Sequence, residues 1–219
     1  MMLIQEKREF FIQEILVWGD ENRRQFPWRI TKDPYHILVA ELMLQRTKAK
    51  QVEKIYLNFL KKYPSPTILA QSSVEEISNE LYSIGLSYRA IRLKRIGEIL
   101  NEKFNSKLPD DIFKLLSLPG VGKYIANAIL CFAFDRDVAL VDSNIIRIMR
   151  RVFSLPLERD SHKKDEIWEI MNNMIPQGKS RDFNLSILDF ASLVCSAKNP
   201  KHEKCPIKMI CDDYKILIN

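Results

Sequence analysis

Apolar residues recur three or four positions apart along almost the whole chain, the spacing of α-helices that bury one face. The alternation typical of half-buried strands is nearly absent, and there is no internal repeat or long linker. The Ser73–Glu76 run has the form of a capping box and predicts a helix after it. Further helices are predicted over 5–18, 34–45, 48–62, 88–104, 123–135, 142–153, 163–174 and 180–194. The fold is therefore expected to be all-α.

Composition narrows the class of protein without identifying it. Hydrophobic residues make up 46% of the chain, enough to bury a core. The sequence contains no apolar run of membrane-spanning length and no signal peptide, so a cytoplasmic protein without a membrane partner is expected. The formal net charge of +6 favours a polyanionic partner. Basic residues cluster around 48–54, 89–95 and 147–151, although solvated helix faces explain any one of these clusters better than a binding surface does.

The sharpest local feature is the run LPGVGK, which holds two of the chain's six glycines. Its proline ends one helix, and the next helix begins at once with free N–H groups and a positive dipole end. Glycines without side chains let a phosphate approach the backbone amides. The run predicts sequence-independent anchoring of one DNA phosphate, with a tight turn between two helices as the alternative. The residues concerned are Leu118, Gly120, Gly122 and Lys123.

A second segment narrows the class of protein further than the glycine run alone. The run VDSNIIRIMR begins about twenty residues after the glycines, at Val141. Together the two segments resemble the helix-hairpin-helix DNA glycosylases, the superfamily of endonuclease III and the MutY adenine glycosylases. The resemblance continues through 26–29, 33–35, 41–47 and 85–90, and it covers about residues 10–214.

This resemblance implies two helical domains built from a discontinuous chain. A six-helix barrel carrying the hairpin is expected at 25–136. The second domain is expected to join 1–24 to 137–219 and to end in a metal-cluster loop. The substrate cleft would lie between them, with Tyr124 and Asp142 at its mouth.

Asp142 is the candidate catalytic carboxylate. It follows an apolar run and opens a helix, so an N-cap alone would suit it. The resemblance adds a catalytic role: breaking an N-glycosidic bond develops positive charge on the sugar, which a fixed carboxylate stabilises while it helps to activate water. The two roles are compatible, because a cap position fixes the side chain. By the same resemblance Asn144 is counted among the DNA-binding residues.

Tyr124 distinguishes subclasses within the resembling superfamily. In the lyase-type relatives a lysine stands second after the last hairpin glycine and forms a Schiff base with the sugar. A phenol cannot do so, and the adjacent Lys123 points about 100° away on the helix, towards DNA. The resemblance therefore implies base removal without strand cleavage. Tyrosine at this position is similar to the archaeal-type thymine mismatch glycosylases, whereas the MutY type has serine; a plain surface tyrosine is the alternative.

Base extrusion requires a pocket and a side chain that fills the gap. Glu41 and Gln45 stand four residues apart, which would place them on one helix face. By resemblance Glu41 lines the base pocket, as acid catalyst or as base reader, and Gln45 or Arg46 acts as the wedge. Tyr88 stands in a second segment that resembles a DNA-contacting loop, where it would either stack between bases or pack between helices.

Three of the four cysteines lie near the C-terminus, with one histidine among them. The pattern is Cys195-x6-His202-x2-Cys205-x5-Cys211. The resembling family has four cysteines at this spacing, which hold a 4Fe–4S cluster. Histidine replaces the second, and imidazole does ligate iron in Rieske centres. A structural 4Fe–4S cluster with Cys3His ligation is expected first, a zinc ion second and free thiols third.

Three functions remain open on the sequence. The first is a monomeric, monofunctional DNA glycosylase that removes thymine or uracil opposite guanine from double-stranded DNA in base excision repair. The second is a MutY-type adenine glycosylase, against which stand Tyr124 and a chain that ends just past the metal loop, without the domain that reads 8-oxoguanine. The third is an inactive DNA-binding module, against which stand Glu41, Asp142 and Asn144.

Overall fold

The computed structural model describes residues 4–85, 88–158 and 160–218. These residues form twelve α-helices and five short 3-10 helices, with no strand among them, which confirms the all-α prediction. The chain divides into a central unit, Gln25–Phe134, and a discontinuous unit, Met1–Arg24 with Asp135–Asn219. None of the described helices combines the length and apolar character needed to cross a membrane.

Among its described residues, the central unit contains seven α-helical segments. They are α2 (Pro34–Leu44), α3 (Ala49–Lys62), α4 (Pro66–Gln71), α5 (Val74–Leu81), α6 (Tyr88–Lys103), α7 (Ile112–Leu116) and α8 (Lys123–Phe134). The predicted capping box before α5 is confirmed, since Ser73 and Glu76 each bond the other's backbone N–H. Helix α4 was not predicted, because six residues span too few turns to show a period.

Helix α2 lies in the interior of the central unit. It packs against α3 and α8 and is buried over most of its length. Helices α4 and α6 approach through Gly97, where an added Cβ would lie 2.9 Å from the backbone of Pro66 and of Ala70. The unit therefore holds its helices by backbone proximity as well as by apolar side chains.

The discontinuous unit pairs the N-terminal helix with helices that follow residue 135. They are α1 (Ile4–Asn22), α9 (Ser143–Phe153), α10 (Asp165–Asn172), α11 (Ser180–Leu193) and α12 (Asp212–Ile218). Helix α1 packs on α11, where Gly19 leaves room for the Ser186 hydroxyl. After α1, the Arg24 guanidinium lies 2.6 Å from the fully buried Asp189 carboxylate. This ion pair holds the segment that follows α1 against α11.

Candidate nucleic-acid interface and catalytic residues

The predicted hairpin is present in the central unit as a tight turn between α7 and α8. The Val121 N–H donates to the Leu118 carbonyl at 3.1 Å, and the Leu118 side chain is buried beneath the turn. Gly120 has φ +81°, in the left-handed region that glycine adopts without strain. Helix α8 begins immediately afterwards, with the Ala126 N–H donating to the Gly122 carbonyl.

The two glycines of the turn have different surroundings. A Cβ added at Gly120 would lie 2.7 Å from Arg92 Cδ, so this glycine sits directly on the Arg92 side chain. A Cβ added at Gly122 would meet nothing within 4 Å, and Lys123 beside it is exposed. The face of the turn at Gly122 and Lys123 is thus open to a ligand, while the face at Gly120 is packed.

Gln45 connects the end of α2 to the hairpin. Helix α2 ends at Leu44, and Gln45 is its C-cap with φ -55° and ψ 112°, so the chain leaves the helix immediately after Gln45. The Gln45 side-chain amide donates to the Gly120 carbonyl at 3.0 Å. Glu41, four residues earlier, lies within α2 and is 9% exposed. Arg46, which follows Gln45, has φ +59°, in the left-handed region.

Tyr88 is the first residue of α6, where the helix predicted over 88–104 begins. Its ring is half-buried, with the Arg92 guanidinium carbon 4.5 Å from the ring centroid. Two residues of the predicted DNA-contacting loop, Leu86 and Ser87, lie outside the described residues. Tyr124 is the second residue of α8 and is half-buried.

Asp142 lies in the discontinuous unit, where the structure confirms that it caps α9. Its Oδ1 accepts from the N–H groups of Asn144 and Ile145, both at 2.9 Å, and its Oδ2 accepts from Asn144 Nδ2 at 2.6 Å. The side chain is half-buried. Both carboxylate oxygens are therefore held in one orientation while the group remains accessible.

Arg147 holds the side chain that orients Asp142. Its Nη1 donates to Asn144 Oδ1 at 2.9 Å, and its Nε and Nη2 donate to the carbonyls of Cys195 and Ala191 at 3.0 and 2.8 Å. A continuous chain of hydrogen bonds thus leads from the end of α11 to the Asp142 carboxylate. The sequence showed Arg147 only as part of a basic cluster, because its partners lie 44 and 48 residues away.

The C-terminal thiols share one pocket. Cys195, His202, Cys205 and Cys211 all line it, and the cavity that it encloses has a volume of about 20 Å³. Burial, followed by a smaller contribution from the neighbouring thiols, raises the pKa of Cys205 to about 11. Soft thiolates with an imidazole are a donor set that suits zinc or an iron–sulfur cluster.

Although these four side chains share a pocket, they are not arranged as metal ligands. Arg151 Nη1 donates to Cys195 Sγ at 3.4 Å, and Cys211 Sγ donates to the Arg151 carbonyl at 3.3 Å. Within 4–85, 88–158 and 160–218, no three His, Cys, Asp or Glu side chains are arranged to hold a metal ion. The pocket brings together the predicted ligands without placing them at ligating distances.

Comparison with known proteins agrees with the resemblance found in the sequence. Residues 39–176 match the family described as HhH-GPD superfamily base excision DNA repair protein. The thymine/uracil-DNA glycosylase of Methanothermobacter thermautotrophicus is 38% identical over 96% of each chain. That of Pyrobaculum aerophilum is 41% identical over 94% of this chain and 92% of its own. A solved thermostable thymine-DNA glycosylase superimposes with a TM-score of 0.93 at 37% identity, covering 97% of this chain and 98% of that one. The chain therefore belongs to the HhH-GPD superfamily of base excision DNA repair proteins.

Proposed function

We propose that this protein is a monofunctional DNA glycosylase that hydrolyses the N-glycosidic bond of thymine or uracil mispaired with guanine in duplex DNA. The observation that carries the proposal is the Asp142 carboxylate, held at the start of α9 by three N–H donors in a base excision repair family. Relatives named thymine/uracil-DNA glycosylases match this chain over nearly its whole length, which supports the choice of bases.

Asp142 supplies the chemistry in this proposal. As the bond to the base breaks, positive charge grows on the sugar, and a carboxylate whose orientation is already set stabilises it without reorganising. The same group accepts a proton from the attacking water. Asn144 and Arg147 are positioning residues here, since they hold Oδ2 through one continuous hydrogen-bond chain.

The remaining roles belong to residues of the central unit. Glu41, almost wholly buried in α2, reads the extruded base. Tyr124 occupies the position where lyase-type relatives carry lysine, so no amine is supplied for a Schiff base and the strand stays intact. Gln45 and Arg46, at the end of α2, fill the gap that the base leaves.

The hairpin anchors a phosphate through Gly122 and Lys123, and a matched pair of variants tests this. Gly120→Ala is expected to lower the free energy of unfolding by about 1–2 kcal/mol, because alanine is strained at φ +81°. Gly122→Ala is expected to leave unfolding almost unchanged, since its Cβ meets no protein atom within 4 Å, yet to weaken DNA binding by keeping the phosphate from the amides. Urea melts and binding to a labelled duplex measure the two effects. Unchanged affinity in Gly122→Ala would exclude phosphate binding at this face.

The C-terminal residues Cys195, His202, Cys205 and Cys211 are proposed to hold a structural 4Fe–4S cluster, with zinc as the alternative. Their common pocket and soft donor atoms support this. Protein purified without exposure to air is expected to be brown, to absorb broadly at the violet end of the visible range, and to contain iron and sulfide. Cys205→Ser is expected to lose that colour. Colourless protein with bound zinc would favour the zinc site, and metal-free protein of full stability would exclude both.

The substrate assignment is tested with a panel of duplexes containing G·T, G·U, A·8-oxoguanine and matched pairs. Release from G·T and G·U is expected, with strand breaks appearing only after alkali. Release of adenine opposite 8-oxoguanine instead would replace the proposal with a MutY-type activity. Binding without any release would favour a DNA-binding module.

A further inference from the structure

Arg89 is a buried cation for which the proposed mechanism has no role. Only 1% of its side chain is exposed, although it stands near the start of α6. Its Nη1 donates to the carbonyls of Ile84 and Gly85 at 3.1 and 3.2 Å. Its Nη2 donates to the Gln45 carbonyl and, at 2.7 Å, to Thr47 Oγ1. One guanidinium thus joins the segment before α6 to the segment after α2.

The contacts of Arg89 fall on both sides of Arg46. Arg46 has φ +59°, a left-handed conformation that is unfavourable for a residue with a Cβ. Arg89 holds the carbonyl before it and the side chain after it, so the turn is fixed from both ends. The Gln45 amide then reaches the hairpin at Gly120, and Arg92 Nη1 donates to Gln45 Oε1 at 3.4 Å.

The two Nη groups of Arg89 donate to neutral dipoles, whereas its buried Nε has no hydrogen-bond partner among the described residues. The four acceptors are three backbone carbonyls and one hydroxyl, all uncharged. Burying a charge without a counter-charge is costly unless its hydrogen bonds are kept, and keeping these bonds restricts the two segments to one relative geometry. A planar fork with five donors can bridge two chain segments, which the single ammonium of a lysine cannot do at the same distances.

We propose that Arg89 is a positioning residue that sets the wedge segment, Gln45–Thr47, against the hairpin, so that extrusion of the target base meets a wedge already in place. The inference rests on the proposed glycosylase function, because it concerns how that reaction gains its extruded base. A wedge fixed before DNA arrives does not have to be ordered during extrusion, which lowers the barrier to that step.

Arg89→Lys keeps the positive charge and removes the fork. Hydrogen exchange at the amides of 44–48 and 118–122 is expected to quicken by about tenfold, because the turn opens more easily. Exchange in the discontinuous unit should not change. The matched control is Arg95→Lys on the same helix, where Arg95 is exposed and pairs with Glu98.

Single-turnover release of thymine gives the functional test. On an isolated G·T pair, Arg89→Lys is expected to be slower than the wild type by about tenfold. With a second mispair beside the target, unstacking is easier and the ratio should shrink towards one. An equal loss on both duplexes would overturn the proposal in favour of general destabilisation, as would unchanged exchange at 44–48. If the wild type releases no base from any duplex, the proposed function fails, whereas the exchange comparison still decides whether Arg89 holds the turn.

Discussion

Replacing Asp142 by asparagine is expected to slow thymine release from a G·T duplex by about two to four orders of magnitude. The amide carries no charge to stabilise the sugar and cannot accept the proton of water. Asparagine is as good an N-cap as aspartate, so α9 should keep its start and the melting temperature should change by only a few degrees. Single-turnover release measures the first effect and a circular dichroism melt the second.

Asp111→Asn is the matched control for this variant. Asp111 is also half-buried and caps a helix, accepting from the Lys114 N–H at 2.9 Å, but it belongs to α7. Its replacement is expected to leave release within about twofold of the wild type. DNA binding should persist in both variants, since neither contributes to the hairpin turn itself. Full activity in Asp142→Asn would remove this carboxylate from the mechanism.

Tyr124→Lys is expected to introduce strand cleavage at the site of base removal. A lysine at this position of α8 supplies an amine that attacks the sugar carbon released from the base, forming a Schiff base that eliminates the adjoining phosphate. Strand breaks without alkali should rise roughly tenfold or more above the wild type. Borohydride should trap a covalent protein–DNA complex in the variant alone.

Tyr124→Phe controls for disturbance of the site, because it keeps the ring and adds no amine. It is expected to release base without strand breaks. A Tyr124→Lys protein that still releases base but forms no trapped complex would contradict the proximity of position 124 to the sugar. Alkali-independent cleavage by the wild type would contradict the monofunctional proposal and direct attention to Lys123.

Much of the fold could be predicted because its signals are local. Helix α9 shows an apolar face and an aspartate at its start, and both its position and its cap follow from a few adjacent residues. The hairpin is equally local, since its glycines and the following helix lie next to each other in the chain. Short helices such as α12 escaped prediction, because seven residues carry too little period.

The candidate site could be predicted only as a set of residue types. Glu41 and Gln45 were expected on a helix that ends near Gln45, but their spacing could not show that the Gln45 amide donates to the hairpin carbonyl of Gly120. Arg89 and Arg147 were visible only as members of basic clusters. Their hydrogen-bond partners lie up to 44 and 48 residues away, where sequence spacing contains no information about contact.

The sequence by itself therefore determined the helical class, the glycine turn, the cap at Asp142 and the superfamily, because each depends on neighbouring residues or on a familiar order of motifs. Only the tertiary structure decided which charged groups orient which others. Arg147 reaches Asn144 and Arg89 spans the turn at Arg46 because packed helices bring distant segments within hydrogen-bond distance. Burial makes these hydrogen bonds necessary, since a charged group removed from water is stable only when other groups of the protein accept its hydrogen bonds.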